Sequence, residues 1–163
     1  MELIIKKAKL TVLDTYEVTD EKGNVVFNVK GELVSVGKRL RINDPSGHEL
    51  ASVYKKKIAL REKYIIDMKN AEEVEVFRID TMRKVPEYRA KQLGWTLKGD
   101  FGKKDLKIME GLHTAAHLRP KRLSFGETLK LDVKDSGKAL AAVALYLVSE
   151  MDQQVKPQNA SEK

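Results

Sequence analysis

The chain contains no cysteine. Disulfides, thiolate metal sites and a cysteine nucleophile are therefore excluded, and the composition fits a reducing compartment. Aromatic residues are scarce, ten in 163 with one tryptophan. Trp95, Tyr54 and Tyr88 do not interleave with the basic runs, so no base-stacking platform is expected. No Walker A loop, dinucleotide glycine fingerprint or serine nucleophile elbow is present. The opening MELIIKKAKL has only residues 3–5 as an apolar run, far short of a signal-peptide core. The uncharged run at 139–148 is too short to span a bilayer, which takes about 20 residues.

What remains is a chain of single-domain size, 42% apolar, with enough material for a real core. Its formal charge is +7, from 31 lysines and arginines against 24 acids. Such a balance favours anionic partners: acidic lipid headgroups, phosphorylated ligands or acidic proteins. Nucleic acid is not expected, because the one good helix is too apolar to enter a groove. The expected location is the cytoplasm, at most peripheral to a membrane.

The first half is periodic. Tyr16, Leu40 and Tyr64 lie 24 residues apart, as do Asp20 and Asp44, Gly23 and Gly47, Val29 and Val53, and Ser35 and Ala59. A third copy follows, with Gly111 as its turn glycine and Ser124 after it; residues 72–79 read as the middle strand of a degraded unit. Asp-x-x-Gly is a turn: the carboxylate accepts from nearby backbone N–H groups and glycine takes positive φ. Strand-turn-strand at this spacing predicts antiparallel hairpins. About four units of about three strands give about twelve strands, a sheet large enough to curl and close. Its strands are half apolar: Leu10, Val12 and Val18, Val29 and Val53, Leu106 and Ile108, and Leu129, Leu131 and Val133 mark the face to be covered.

The cover is the segment GKALAAVALYLVSEMDQQ. Asp135 or Ser136 can cap it, and four alanines favour helix over strand. It is apolar on every side, so protein must surround it. The predicted fold is mainly β: an antiparallel barrel of about twelve strands, plugged by a hydrophobic C-terminal helix at about 137–151. Residues 1–152 form one domain, and 153–163 read as a polar, flexible tail.

The run YEVTDEKGNVVFNVKGELVSVGKRLRINDPSGHELASVYKKKIALREKY resembles the start of the LURP-one-related family of tubby-like proteins. LKGDF at 97–101, LRPKRLSFGETLKLDV at 118–133 and the terminal apolar segment match later landmarks of that family in order. The resemblance covers about residues 1–152 and is weakest across 81–93. It implies a twelve-stranded barrel around a central hydrophobic helix and does not imply an enzyme; the family's bacterial members have no settled activity. Relatives in the wider fold include tubby proteins, which bind phosphoinositides, and phospholipid scramblases.

Few constellations could carry chemistry. His113 and His117 have the i, i+4 spacing of a zinc pair, but on a strand they stand about 13 Å apart. No metal or cofactor is expected. Asp20 and Asp44 serve turns, and so does Asp100. A pocket holding two carboxylates or a histidine–carboxylate pair is what a hydrolase would need. The basic corners carry more weight: Lys38, Arg39 and Arg41; Lys55, Lys56, Lys57, Arg61 and Lys63; and Arg119, Lys121 and Arg122. They recur at equivalent places in the repeats, so a barrel can gather them on one rim, where they suit phosphate. By alternation Arg39 and Arg41 share a face and Lys38 takes the other. The competing reading is that these are solvated hairpin ends that discourage edge pairing. The expected function is a non-catalytic binding or scaffold module for anionic headgroups or phosphorylated ligands. The alternative is a protein-interaction module with no small ligand.

Overall fold

A computed structural model of the chain describes residues 1–8, 14–34, 37–58, 61–121 and 127–161, with the backbone alone at 58, 61 and 155–161. Leu10, Val12, Ser35, Ala59, Arg122 and Ser124 lie outside the described residues. The strands are β1 (Glu2–Lys7), β2 (Thr15–Asp20), β3 (Val25–Val34), β4 (Gly37–Asn43), β5 (Glu49–Ile58) and β6 (Arg61–Met68). They continue as β7 (Val74–Asp80), β8 (Pro86–Ala90), β9 (Trp95–Asp100), β10 (Asp105–Glu110), β11 (His113–Pro120) and β12 (Thr128–Val133). Each pairs antiparallel with its sequence neighbours, and β1 pairs with β12, so the sheet closes into a barrel.

The repeat is one turn written twice. Asp20 Oδ1 accepts from the backbone N–H of Lys22 and Asn24, both at 2.9 Å. Asp44 Oδ1 accepts from Ser46 and His48 at the same distance. Gly23 and Gly47 follow at φ 85° and 91°, in the left-handed region that glycine enters without a Cβ clash. Each 24-residue unit holds two strands rather than the expected three. The reason is length: β3 and β5 each run ten residues and absorb what reads as a corner and a further short segment. Twelve strands therefore come from six hairpins, and a hairpin chain needs no crossover to close.

Alternation sends the apolar set inward. Val18, Val29, Val53 and Leu106 are fully buried, and Ile108, Leu129, Leu131 and Val133 nearly so. After β12 a single 3-10 turn (Ser136–Lys138) leads into helix α1 (Ala139–Ser161), and the Asp135 side chain accepts from the Gly137 N–H at 2.9 Å. Every residue from 141 to 151 is buried. The helix fills the barrel, as its lack of a polar stripe requires.

The helix does not stop at about 151: its backbone stays helical to Ser161. The polar residues after Met151 have partners across the barrel. Asp152 accepts from Tyr64, Arg78 and Tyr88; Gln153 donates to Tyr88; Gln154 accepts from Lys38. Among the described residues, no helix is long and apolar enough to cross a membrane.

Candidate functional site: a basic arc at the barrel mouth

Strand direction gives the barrel two distinct ends. β12 finishes at the end where the helix begins, called the floor. The helix then runs to the opposite end, the mouth, where even-numbered strands begin and odd-numbered strands finish. The basic corners named from the sequence fall in the mouth half wherever they are described, with Arg41 as the exception. Lys38 and Arg39 start β4, and Arg41 lies past its middle toward the floor. Lys55, Lys56 and Lys57 finish β5, and Arg61 opens β6 with Lys63 after it paired to Glu75. Arg119 lies near the end of β11 and Lys121 directly follows that strand.

One mouth does not make one site. β4, β5 and β6 are consecutive, whereas β3, β2, β1 and β12 intervene between β4 and β11. Arg119 Nη2 donates to Asp132 at 3.1 Å, and with Lys121 it lines a separate cleft of about 430 Å³ that also holds Glu2 and Lys130. Lys130 is itself paired with Glu2 at 3.1 Å.

The β4–β5–β6 group divides further. Lys38 turns into the mouth, where it pairs with Asp14 and donates to Gln154 at 3.0 Å. Burial, then the neighbouring Lys7, pulls its pKa below the usual lysine value. Arg41 is committed to two acids: its Nε lies 2.7 Å from Glu32, and its Nη1 pairs with Glu49. Neither residue offers a free charge. Arg61 pairs with Ile58 through the backbone at the start of β6.

Arg39, Lys55, Lys56 and Lys57 come together with Tyr54 and Glu62 around a cleft of about 510 Å³. Register builds it. Arg39 stands opposite Tyr54 in the β4–β5 ladder, and the guanidinium carbon lies 4.4 Å from the ring centroid. That is within cation–π range and holds the fork in place. Its Nε is buried and has no hydrogen-bond partner. Lys57 stands opposite Glu62, which takes Lys55 at 3.0 Å. Lys56 and Lys57 are exposed. Among the described residues, no carboxylate pairs with Arg39, Lys56 or Lys57. The cleft therefore presents three uncompensated cations, one of them pre-oriented by an aromatic ring. Tyr54 and Glu62 are absent from the sequence-based set. The signal that could have found them is the pairing of β5 with β4 and β6, which the repeat phase implies.

A second mouth-side cleft, about 500 Å³, is lined by Arg83, Lys98 and Lys107 but also by Glu87, Asp100 and Asp105. It contains the carboxylates a hydrolase would need, and Asp105 Oδ1 lies 2.7 Å from His117 Nε2. Asp100 accepts from the Lys103 N–H at 2.9 Å, a turn role. His117 holds Asp105 below the usual aspartate range, the opposite of what a general acid needs. Among the described residues, no serine or threonine hydroxyl bonds to His117.

Comparison with known proteins places this barrel. The model of the LURP-one-related family matches residues 1–150. The uncharacterized protein YxjI of Bacillus subtilis (strain 168) is 26% identical over 151 residues, covering 93% of each chain. The X-ray structure of a protein from Arabidopsis thaliana superposes with a TM-score of 0.63 at 13% identity, covering 93% of this chain and 91% of that one. The structural likeness carries the tubby-like fold, and none of these names states an activity.

Proposed function

The chain belongs to the LURP-one-related family, and we propose that it is a non-catalytic, cytoplasmic binding module that holds phosphate-bearing anions in the cleft between β4, β5 and β6. The observation that carries this reading is Arg39: stacked on Tyr54, paired with no acid, and flanked by two exposed lysines. Arginine's planar fork suits phosphate oxygens, and lysine adds point charge without strict geometry. A lipid headgroup and a soluble phosphorylated compound share this chemistry.

The test uses the full chain against inositol hexakisphosphate by calorimetry, and against vesicles of phosphatidylcholine with or without phosphatidylserine by co-sedimentation at low salt. Saturable binding that weakens with salt, and that the triple variant Arg39→Ala, Lys56→Ala, Lys57→Ala removes, is the expected result. Arg119→Ala leaves it intact. Equal recovery on neutral and acidic vesicles, with no heat from the polyphosphate, sinks the reading. A stoichiometric protein partner retained at high salt then becomes the better account.

A further inference from the structure

Among the described residues five large apolar side chains are exposed: Met1 (49%) and Leu112 (96%) at the floor, and Leu33 (74%), Met82 (fully) and Val85 (partly) at the mouth, where alone they stand beside the cleft of free cations. Leu33 sits near the end of β3, and Met82 and Val85 lie in the β7–β8 connection. These positions bracket the phosphate cleft, because β3 through β8 are consecutive around the barrel. Met82 is held out by a tight turn: the Lys84 N–H donates to the Thr81 carbonyl at 2.9 Å, and Thr81 Oγ1 donates to the Val85 carbonyl at 2.8 Å. The two residues after it are Arg83 and Lys84.

An exposed methionine on a rigid turn, followed by two cations and level with a cleft of three more, has the character of an interfacial anchor. Apolar tips enter the boundary between headgroups and acyl chains while the surrounding lysines and arginines remain at phosphate depth. A soluble phosphorylated ligand has no use for the apolar tips; a bilayer uses both. A protein face of this composition is less apt, since apolar area is confined to separated points and not a contiguous patch.

We propose that the arc of the mouth from β3 to β8 docks on an anionic bilayer, with Met82 and Leu33 inserted and Arg39, Lys56, Lys57, Arg83 and Lys84 against the headgroups. This rests on the phosphate reading of the cleft and selects lipid as its source. The long axis of the barrel then stands away from the membrane, with the floor in solvent.

The absence of native cysteine makes the test direct. Single cysteines replace Met82, Leu33 or Leu112 in turn, each labelled with an environment-sensitive fluorophore. Leu112 is the control: it is 96% exposed and lies at the floor. With phosphatidylcholine–phosphatidylserine vesicles, labels at 82 and 33 shift to the blue and become shielded from an aqueous quencher, while the label at 112 does not. Met82→Asp lowers vesicle partitioning about tenfold or more and leaves inositol hexakisphosphate binding unchanged; Leu112→Asp changes neither. Polyphosphate binding with labels at 82 and 33 still water-like on vesicles overturns the docking and leaves the cleft reading standing. Loss of both polyphosphate and vesicle binding in the parent chain removes the cleft reading and the docking together. A blue shift at 112 overturns the orientation.

Discussion

Asp152 is where the helix is bolted to the mouth, and Asp152→Ala should loosen it measurably. The carboxylate accepts from Tyr64 at 3.0 Å, from Tyr88 at 2.5 Å and from Arg78 Nη1 at 2.8 Å. Its side chain is 14% exposed and that of Arg78 20%. Truncation leaves two buried phenols and one guanidinium without their acceptor. The expected cost is about 2–4 kcal/mol, somewhat under the ~3–5 kcal/mol of a fully buried pair, because water can reach the gap. That is a sizeable part of a net stability of about 5–15 kcal/mol. With a urea slope of about 2 kcal/mol per molar, the midpoint falls by about 1–2 M at unchanged slope. Burial, then Asp152 itself, holds both phenols far above the ordinary tyrosine range, so they stay donors throughout any practical buffer. Asp152→Asn keeps an acceptor but no charge and should lose roughly half as much. Combining Asp152→Ala with Tyr88→Phe should show coupling of about 1 kcal/mol or more. A midpoint for Asp152→Ala within about 0.5 kcal/mol of the parent, the ordinary range for a surface change, refutes the bolt.

Leu145 is fully buried at the middle of the plug; Leu145→Ala should cost about 2–5 kcal/mol by urea titration, and a surface-like cost means the helix does not fill the barrel. Acidification should weaken the fold through its repeat turns. The backbone N–H of Asn24 holds Asp20 below the usual aspartate range, and that of His48 does the same for Asp44. Both pKa values are depressed in the folded state, so their contribution is complete above the unfolded value near ~4 and is lost as pH falls through the folded ones. Thermal midpoints measured from pH 6 downward should fall at the acid end, and the double variant Asp20→Asn, Asp44→Asn should flatten that fall; an unchanged slope contradicts it.

Local chemistry was readable and distant chemistry was not. The two Asp-x-x-Gly turns needed only residues within five positions of each other, and the structure has them with matching hydrogen bonds. The uniform greasiness of α1 implied enclosure, and strand alternation set Lys38 apart from Arg39 and Arg41. Strand count per repeat was misjudged because nothing in the pattern marks where a ten-residue strand should break. Gln153 and Gln154 read as the start of a tail, and Asp152 as no more than the last residue of the domain, because their partners, Tyr64, Arg78, Tyr88 and Lys38, lie 64 or more positions away. The same limit hid which cations are free. Glu32 and Glu49, the acids that bind Arg41, come from the strands on either side of it, and only the register brings them there.

The claim that matters most is that the free cations at the mouth form one anion site between β4, β5 and β6. Backbone amide shifts of the full chain, followed during titration with inositol hexakisphosphate, test it residue by residue. The account predicts the largest changes at Arg39, Tyr54, Lys56 and Lys57, with the floor turns at Gly23, Gly47 and Gly111 unmoved. Changes centred on Arg119 and Lys121, or on the cleft of Asp100 and Asp105, contradict it.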